Sequence, residues 1–239
     1  MKTNNLICIF CYNVSNDIEF IFKKITKYKL LKHKILFIND KSKDDTLLKI
    51  KKFKLKYNKN NIYIINNKIN KGYGGNYKIA INFCKRGKFD KLIFLHGDNQ
   101  YPANKVSHVI KELNNCDLSF GSRMANKKSS FKNMPLIKYF VNKLLTFFIN
   151  FLFNSKNSEY FSGFRGLKVD KLLNLNLNQF VDGYEIEQQI HYVFIKKKYK
   201  ISEFPIPTVY DGQISRIPPV RYVVSTVLIA INYSLFKNL

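Results

Sequence analysis

The sequence predicts an α/β protein built on a doubly wound, mostly parallel sheet with flanking helices. Three observations point there. Apolar, β-prone runs alternate with amphipathic stretches through the first half of the chain. The run Leu92–Leu95 stops abruptly at His96-Gly97-Asp98, as a buried strand does on reaching a sheet edge. With 239 residues, 46% of them hydrophobic and 15% aromatic, the chain can bury a large core. Repeated strand–helix units make successive strands parallel, because each helix carries the chain back along the sheet.

Taken in order, Leu6–Tyr12 is a first strand, and Asp17–Tyr28 a helix with Ile18, Phe22 and Ile25 at helical spacing. Lys34–Ile38 is the second strand. The helix Asp44–Tyr57 turns Leu47, Leu48, Ile50 and Phe53 inward and its lysines outward. Asn61–Ile65 is the third strand, and Tyr73–Cys84 a helix opened by a Gly-rich turn. Lys91–Leu95 is the fourth strand, Pro102–Leu113 a helix and Asp117–Phe120 the fifth strand. The second half differs. Met134–Phe153 is long and nearly all apolar, with Lys138, Asn142, Thr146 and Asn150 recurring every fourth position as a narrow polar stripe. A strand-like piece follows around Phe164–Lys168, then a helix at Gly183–Lys196 and a short strand near Ile201–Pro205. The tail from Pro219 to Phe236 is helical, with Arg221, Ser225 and Asn232 as its polar stripe.

Lys and Arg number 41 against 16 acidic residues, a formal net charge of +25. Most of that reads as compositional drift toward Lys, Asn and Ile; the rest favours anionic partners such as nucleotides, phosphates or acidic lipid. Only Arg86, Arg123, Arg165, Arg216 and Arg221 are arginines. Arg is the better bidentate phosphate ligand, so an Arg inside a motif stands out. No helix-turn-helix, zinc-finger or RNA-recognition pattern accompanies the charge, which argues against nucleic acid as a partner. Cys8, Cys11, Cys84 and Cys116 lack a second Cys or His pair for a zinc site and read as free buried thiols in a reducing compartment. The apolar patch Leu6–Phe10 is too short for a signal peptide, and no run reaches the ~20 apolar residues of a spanning helix.

Three turns carry candidate chemistry. After the fourth strand, His96-Gly97-Asp98-Asn99-Gln100-Tyr101-Pro102 brings a carboxylate to the edge where open α/β sheets bind ligands. Asp98 can hold a divalent cation whose shell a diphosphate completes, with His96 and Gln100 as further donors. After the second strand, Asn39-Asp40-Lys41-Ser42-Lys43-Asp44 offers Asp40 to a base or ribose and Asp44 as a helix cap. After the third, Asn70-Lys71-Gly72-Tyr73-Gly74-Gly75 either brings backbone close to a ligand or forms a plain tight turn. Its spacing and its place after the third strand exclude a dinucleotide fingerprint.

In this order the motifs resemble the nucleotide-sugar glycosyltransferases of the GT-A fold, family 2, and within them the branch of dolichol-phosphate mannose synthase and bacterial polyprenyl-phosphate glycosyltransferases. Tyr12-Asn13 resembles the family's Tyr-Asn-Glu, with Val14 in place of Glu. Asn39-Asp40-Lys41-Ser42-Lys43-Asp44 is similar to Asp-Asp-Gly-Ser-x-Asp, and Asn70, Gly72 and Gly74 to Asn-x-Gly-x-Gly. His96-Gly97-Asp98-Asn99-Gln100 resembles Asp-x-Asp-x-Gln, with His96 in place of the first Asp. Gly121-Ser122-Arg123, Ser162-Gly163-Phe164-Arg165, Asp182-Gly183-Tyr184-Glu185 and Glu203-Phe204-Pro205-Ile206 resemble four further family elements.

The resemblance implies a single Rossmann-like GT-A domain over 1–239, with 1–125 holding the nucleotide sugar and 126–239 the acceptor. It implies an inverting transfer of a sugar from a nucleoside diphosphate to a lipid-phosphate or glycan acceptor in cell-surface polysaccharide or glycolipid synthesis. Tyr12, Asn13, Asp40, Ser42, Asn70, Gly72, Gly74, Gly97 and Asp98 would bind the nucleotide. Asp98, Gln100 and His96 would hold Mg2+ or Mn2+. Arg123, Ser162, Arg165 and Arg216 would contact phosphate or acceptor. Asp182, Glu185 and Arg165 are the catalytic candidates, with Glu187 a third acid from which a general base is drawn; an anionic lipid phosphate needs none. By the same analogy, 134–153 and 219–236 lie on the inner face of the cell membrane, against polyprenyl phosphate or the lipid surface, in a cytoplasmic protein. Packing on the sheet and a homodimer interface are the competing readings of those helices. A nucleotidyltransferase, a nucleotide-sugar-binding protein without turnover and a basic nucleic-acid-binding protein are the alternative functions.

Overall fold

The computed structural model describes residues 4–57, 60–209 and 219–236. Its element order opens with β1 (Asn5–Cys11), α1 (Ile18–Lys27), β2 (Lys34–Asn39), α2 (Thr46–Tyr57), β3 (Ile62–Asn66), α3 (Gly72–Gly87), β4 (Lys91–His96), α4 (Val106–Glu112) and β5 (Leu118–Ser122). It continues with α5 (Lys127–Asn133), α6 (Leu136–Phe153), β6 (Arg165–Lys168), α7 (Ile186–Lys196), β7 (Ile201–Pro205) and α8 (Pro219–Leu235). The expected elements are present. α5 was not foreseen, and α4 and α7 start later than their periodicity suggested because short 3-10 and bend segments precede them.

One seven-stranded sheet runs β3-β2-β1-β4-β6-β5-β7. β1 to β4 are mutually parallel, as is the pair β5–β7, but β6 is antiparallel to both β4 and β5. The mostly parallel α/β architecture with flanking helices is therefore the observed one. β1, β2 and β4 are buried almost throughout, which is why they read as continuous apolar runs rather than alternating ones. Their side chains feed two cores. One, around Tyr77, Phe94, Tyr160, Tyr192 and Phe194, lies under α3 and α7. The other, around Ile21, Phe37, Ile50, Leu95 and Val106, lies under α1, α2 and α4. All four cysteines are buried and free.

α6 buries a mixed face of Asn142, Leu145, Thr146 and Ile149. Three members of its predicted polar stripe face the protein and Lys138 is exposed: Asn142 and Thr146 are buried, Asn142 donates to Glu159 Oε1 at 3.2 Å, and Asn150 accepts from Tyr160 Oη at 2.8 Å. Five of its large apolar residues face outward: Ile137 is 80% exposed and Phe151 78%, with Phe140, Leu144 and Phe147 between them. Val220, Val224 and Leu228 are likewise exposed on α8, which packs beside α6. Among the described residues α6 alone is long and apolar enough to cross a membrane, contrary to the expectation that no run would be. At about 1.5 Å per residue its 18 residues reach roughly 27 Å.

Candidate active site

Because β1 to β4 run the same way, their C-terminal ends share one edge. Asp40 follows β2 directly and Asp98 stands two residues beyond β4; both strands flank β1. Gly97 is required between them: its N–H donates to Phe10 O at 2.9 Å, and a Cβ there would lie 3.0 Å from the same oxygen.

Around Asp40 the turns hold one another. Asp40 is buried; its Oδ1 accepts from Lys71 N (2.7 Å) and Asn67 Nδ2 (2.8 Å), and its Oδ2 from Gly72 N (3.0 Å). These contacts set the carboxylate at the positive end of α3. Asn70 Oδ1 takes the Gly72 N–H as well, at 2.9 Å. Gly72 has φ +70°, a conformation that favours glycine. Gly74 donates to Asp182 O at 2.8 Å, and a Cβ there would fall 2.6 Å from Val181 O. The Gly-rich turn thus receives the 181–183 backbone. Asn13 and Ser42 staple the first two strand ends: Asn13 N donates to Ser42 Oγ (3.0 Å) and Lys43 N to Asn13 Oδ1 (2.8 Å). Tyr12 is half-buried beside them. Lys41, Lys43, Lys68 and Lys71 are exposed cations on these turns.

Around β4 a polar chain leads inward. His96 Nε2 lies 3.1 Å from Tyr73 Oη, which donates to Glu187 Oε1 at 2.5 Å. Glu187 is buried, 3.6 Å from the Arg165 guanidinium. Burial, with Glu187 alongside, raises the Tyr73 pKa well above the usual tyrosine value, so the phenol keeps its proton. Tyr184 stacks on Tyr73 at 4.9 Å and is exposed. Asp98 is half-buried, and its Oδ1 accepts from the Gln100 main-chain N at 3.2 Å.

The two described arginines assigned to phosphate do not reach the edge as free cations. Arg165 is fully buried and donates to the carbonyls of Tyr160, Ser162 and Glu187. Arg123 donates from its main-chain N (2.7 Å) and Nε (2.9 Å) to buried Glu159, and from its terminal nitrogen to Phe161 O. Arg216 lies outside the described residues. Ser162 Oγ is buried with no hydrogen-bond partner among the described residues. The Asp182 carboxylate turns to Lys78 on α3, 2.7 Å away. Glu185 curls back over Gly183 at the start of α7. Sequence reasoning missed Tyr73, Tyr101 and Glu159. A lone Glu directly after the apolar helix of a strongly basic chain was the available signal for Glu159; Tyr101, whose Oη accepts from Gly163 N at 2.8 Å, had none.

No three of His, Cys, Asp and Glu gather into a cation cage among the described residues. His96 and Asp98, separated by one residue at one strand tip, are two donors. That number suits a divalent ion whose remaining positions a diphosphate fills.

Residues 6–175 match the model of glycosyl transferase family 2. An uncharacterised protein of Methanocaldococcus jannaschii is 28% identical over 208 residues, 83% of this chain and 86% of that one. A dolichyl-phosphate beta-glucosyltransferase of Dictyostelium discoideum is 29% identical over 113 residues, 46% of this chain but 34% of that one. Among solved structures, glucosyl-3-phosphoglycerate synthase from Mycobacterium tuberculosis, in complex with Mn2+, UDP and phosphoglyceric acid, superposes with a TM-score of 0.74. It is 12% identical, and the match covers 99% of this chain and 80% of that one.

Proposed function

Since the chain belongs to glycosyl transferase family 2, we propose that it transfers a sugar, with inversion, from a nucleoside diphosphate to a lipid-borne phosphate at a membrane surface. The observation that carries this is the edge where the β2 and β4 tips meet across β1, with Asp98 half-open between lysine-bearing turns. The M. tuberculosis synthase supports it, since that protein takes UDP and Mn2+ on the same fold.

Asp98, with His96 beside it, would hold Mg2+ or Mn2+. Such an ion neutralises charge that builds on a departing diphosphate. Lys41, Lys43 and Lys71 supply positive charge where the buried arginines do not. Tyr184, stacked on Tyr73, offers an exposed ring to the sugar or base. Asp182 and Lys78 pin the loop that carries Tyr184 and Glu185. A phosphate acceptor is already a nucleophile; a hydroxyl acceptor would call on Glu185, the candidate acid left without a described cation partner. Residues 126–209 and 219–236 form the acceptor half.

The outward apolar face of α6 and α8 supports a membrane-bound acceptor. A soluble surface helix buries most of its apolar residues; this one buries Leu145 and Ile149 alongside Asn142 and Thr146 but presents Phe140, Leu144, Phe147 and Phe151. Insertion of that face into the headgroup boundary, helped by the chain's positive charge, would hold the protein on anionic lipid. The test is release of nucleoside diphosphate from UDP-, GDP- and CDP-sugars with polyprenyl phosphate in vesicles, for the parent and Asp98→Ala. Lipid-dependent release that Asp98→Ala loses supports the reading. Full turnover by Asp98→Ala, or no release with any donor, refutes it.

A further inference from the structure

The departure at His96 has a structural counterpart deeper in the protein. A phenol carries one hydrogen, and Tyr73 gives its own to Glu187. Toward His96 the phenol oxygen can then only accept, so His96 Nε2 bears the hydrogen. In the neutral ring this leaves the lone pair on Nδ1, which has no hydrogen-bond partner among the described residues. The ring is also fixed in place. Tyr101 meets it edge-on at 4.8 Å, and a Cβ on Gly163 would come within 2.9 Å of its Cε1 and 3.1 Å of Tyr73 Oη. Glu187 is held in turn by Arg165. A ring nitrogen whose partner N–H is donated to a group backed by a carboxylate is the arrangement that orients metal-binding histidines.

We propose that this hydrogen-bond chain makes His96 Nδ1 a nitrogen ligand beside Asp98, so that the site selects a Mn2+-class cation over Mg2+. Tyr73 and Glu187 are then positioning residues. Mg2+ prefers oxygen donors in near-ideal octahedral geometry, whereas imidazole suits transition metals. A carboxylate in the same place would tolerate both. The inference rests on the proposed nucleoside-diphosphate site.

The experiment measures Mn2+ binding by the EPR signal of free Mn2+, using MnCl2 with UDP, GDP or CDP, and titrates MgCl2 as competitor. Electron spin-echo modulation of bound Mn2+ reports directly on a coordinating imidazole nitrogen. The parent protein should show nitrogen modulation and need about 10-fold or more Mg2+ over His96→Asp to displace Mn2+. His96→Asp should lose the modulation. Tyr73→Phe should keep the nitrogen but bind Mn2+ about 10-fold more weakly, the size of effect known for lost outer-shell partners. Mn2+ bound with nucleotide but without nitrogen modulation, or equal Mg2+ competition in the parent and His96→Asp, overturns the inference and leaves the donor site standing. No nucleotide-dependent Mn2+ binding in either protein removes the donor-site reading itself. Because His96→Asp restores the carboxylate of the resembling motif, its result stands even if Tyr73→Phe fails to fold.

Discussion

Replacing Asp40 by Ala should destabilise the nucleotide-free protein, and the size of the loss follows from its contacts. The carboxylate receives three donors: Lys71 N, Gly72 N and Asn67 Nδ2. Two of these retain a second acceptor, since Gly72 N also reaches Asn70 Oδ1 at 2.9 Å and Asn67 Nδ2 reaches Asn76 Oδ1 at 2.7 Å. Lys71 N is left with none, which costs about 1–3 kcal/mol. Removing a negative charge from the N-terminus of α3 adds roughly 0.3–1 kcal/mol. The weakened Gly72 and Asn67 bonds bring the sum to about 3 kcal/mol. For a chain of this size each kcal/mol moves Tm by about 2–4 °C, so the midpoint should fall by roughly 6–12 °C. Thermal unfolding by circular dichroism without ligand, repeated as a urea titration, reads this directly. Asp40→Asn should fall between, because its amide would point a donor at the Gly72 N–H. If Asp40→Ala instead unfolds with the parent and only its nucleotide affinity drops, the carboxylate faces a ligand and the anchoring argument is wrong.

Three further outcomes are expected. Gly74→Ala should lose about 1–3 kcal/mol and expose the 181–185 loop to limited proteolysis, because its Cβ meets fixed backbone; an unchanged urea midpoint and digestion pattern would contradict this. Burial, then the nearby Arg165 charge, lowers the His191 pKa well below the usual value, so the fold holds a neutral ring that the unfolded chain protonates below about pH 6.5. Stability should therefore fall as pH drops below that value, by up to about 1.4 kcal/mol per pH unit, with half-buried His33 adding a slope of the same sign; His191→Gln should flatten most of it, and equal urea midpoints at pH 7.5 and 5.5 in the parent would contradict this. The paired change Phe140→Asn/Phe147→Asn should leave Tm nearly unmoved, since both side chains are exposed, yet cut partition onto anionic vesicles by about 10–100-fold in a sedimentation assay; unchanged partition would clear α6 of lipid contact.

What the sequence could and could not convey divides along a physical line. The β1–β4 half was legible because β1, β2 and β4 are buried on both faces and each turn breaks the apolar run with Asn, Asp or Gly; local chemistry dictated local structure there. The antiparallel sense of β6 was not, since Arg165–Lys168 is short and pairs with strands far away in the chain. The edge residues were legible as a set but not in their individual duties. Asp40, Gly74, Asn13 and Ser42 carry the spacing of ligand contacts, and in the structure each also holds a neighbouring turn: Asn13 meets Ser42, Asp40 the Lys71–Gly72 backbone, and Gly74 the 181–182 backbone. Arg165 stood out among lysines as a phosphate ligand, yet its planar fork of donors matches three backbone carbonyls equally well, and only the position of Glu187 decides between the two uses. The α6 stripe shows the same limit most plainly. Periodicity identified Asn142, Thr146 and Asn150 as one face, but period alone has no sign. Glu159, brought in from the following loop, makes that face the inner one and thereby sends the phenylalanines outward. A single buried carboxylate, itself held by Arg123 at the tip of β5, thus ties the orientation of the apolar helix to the edge where the donor would sit.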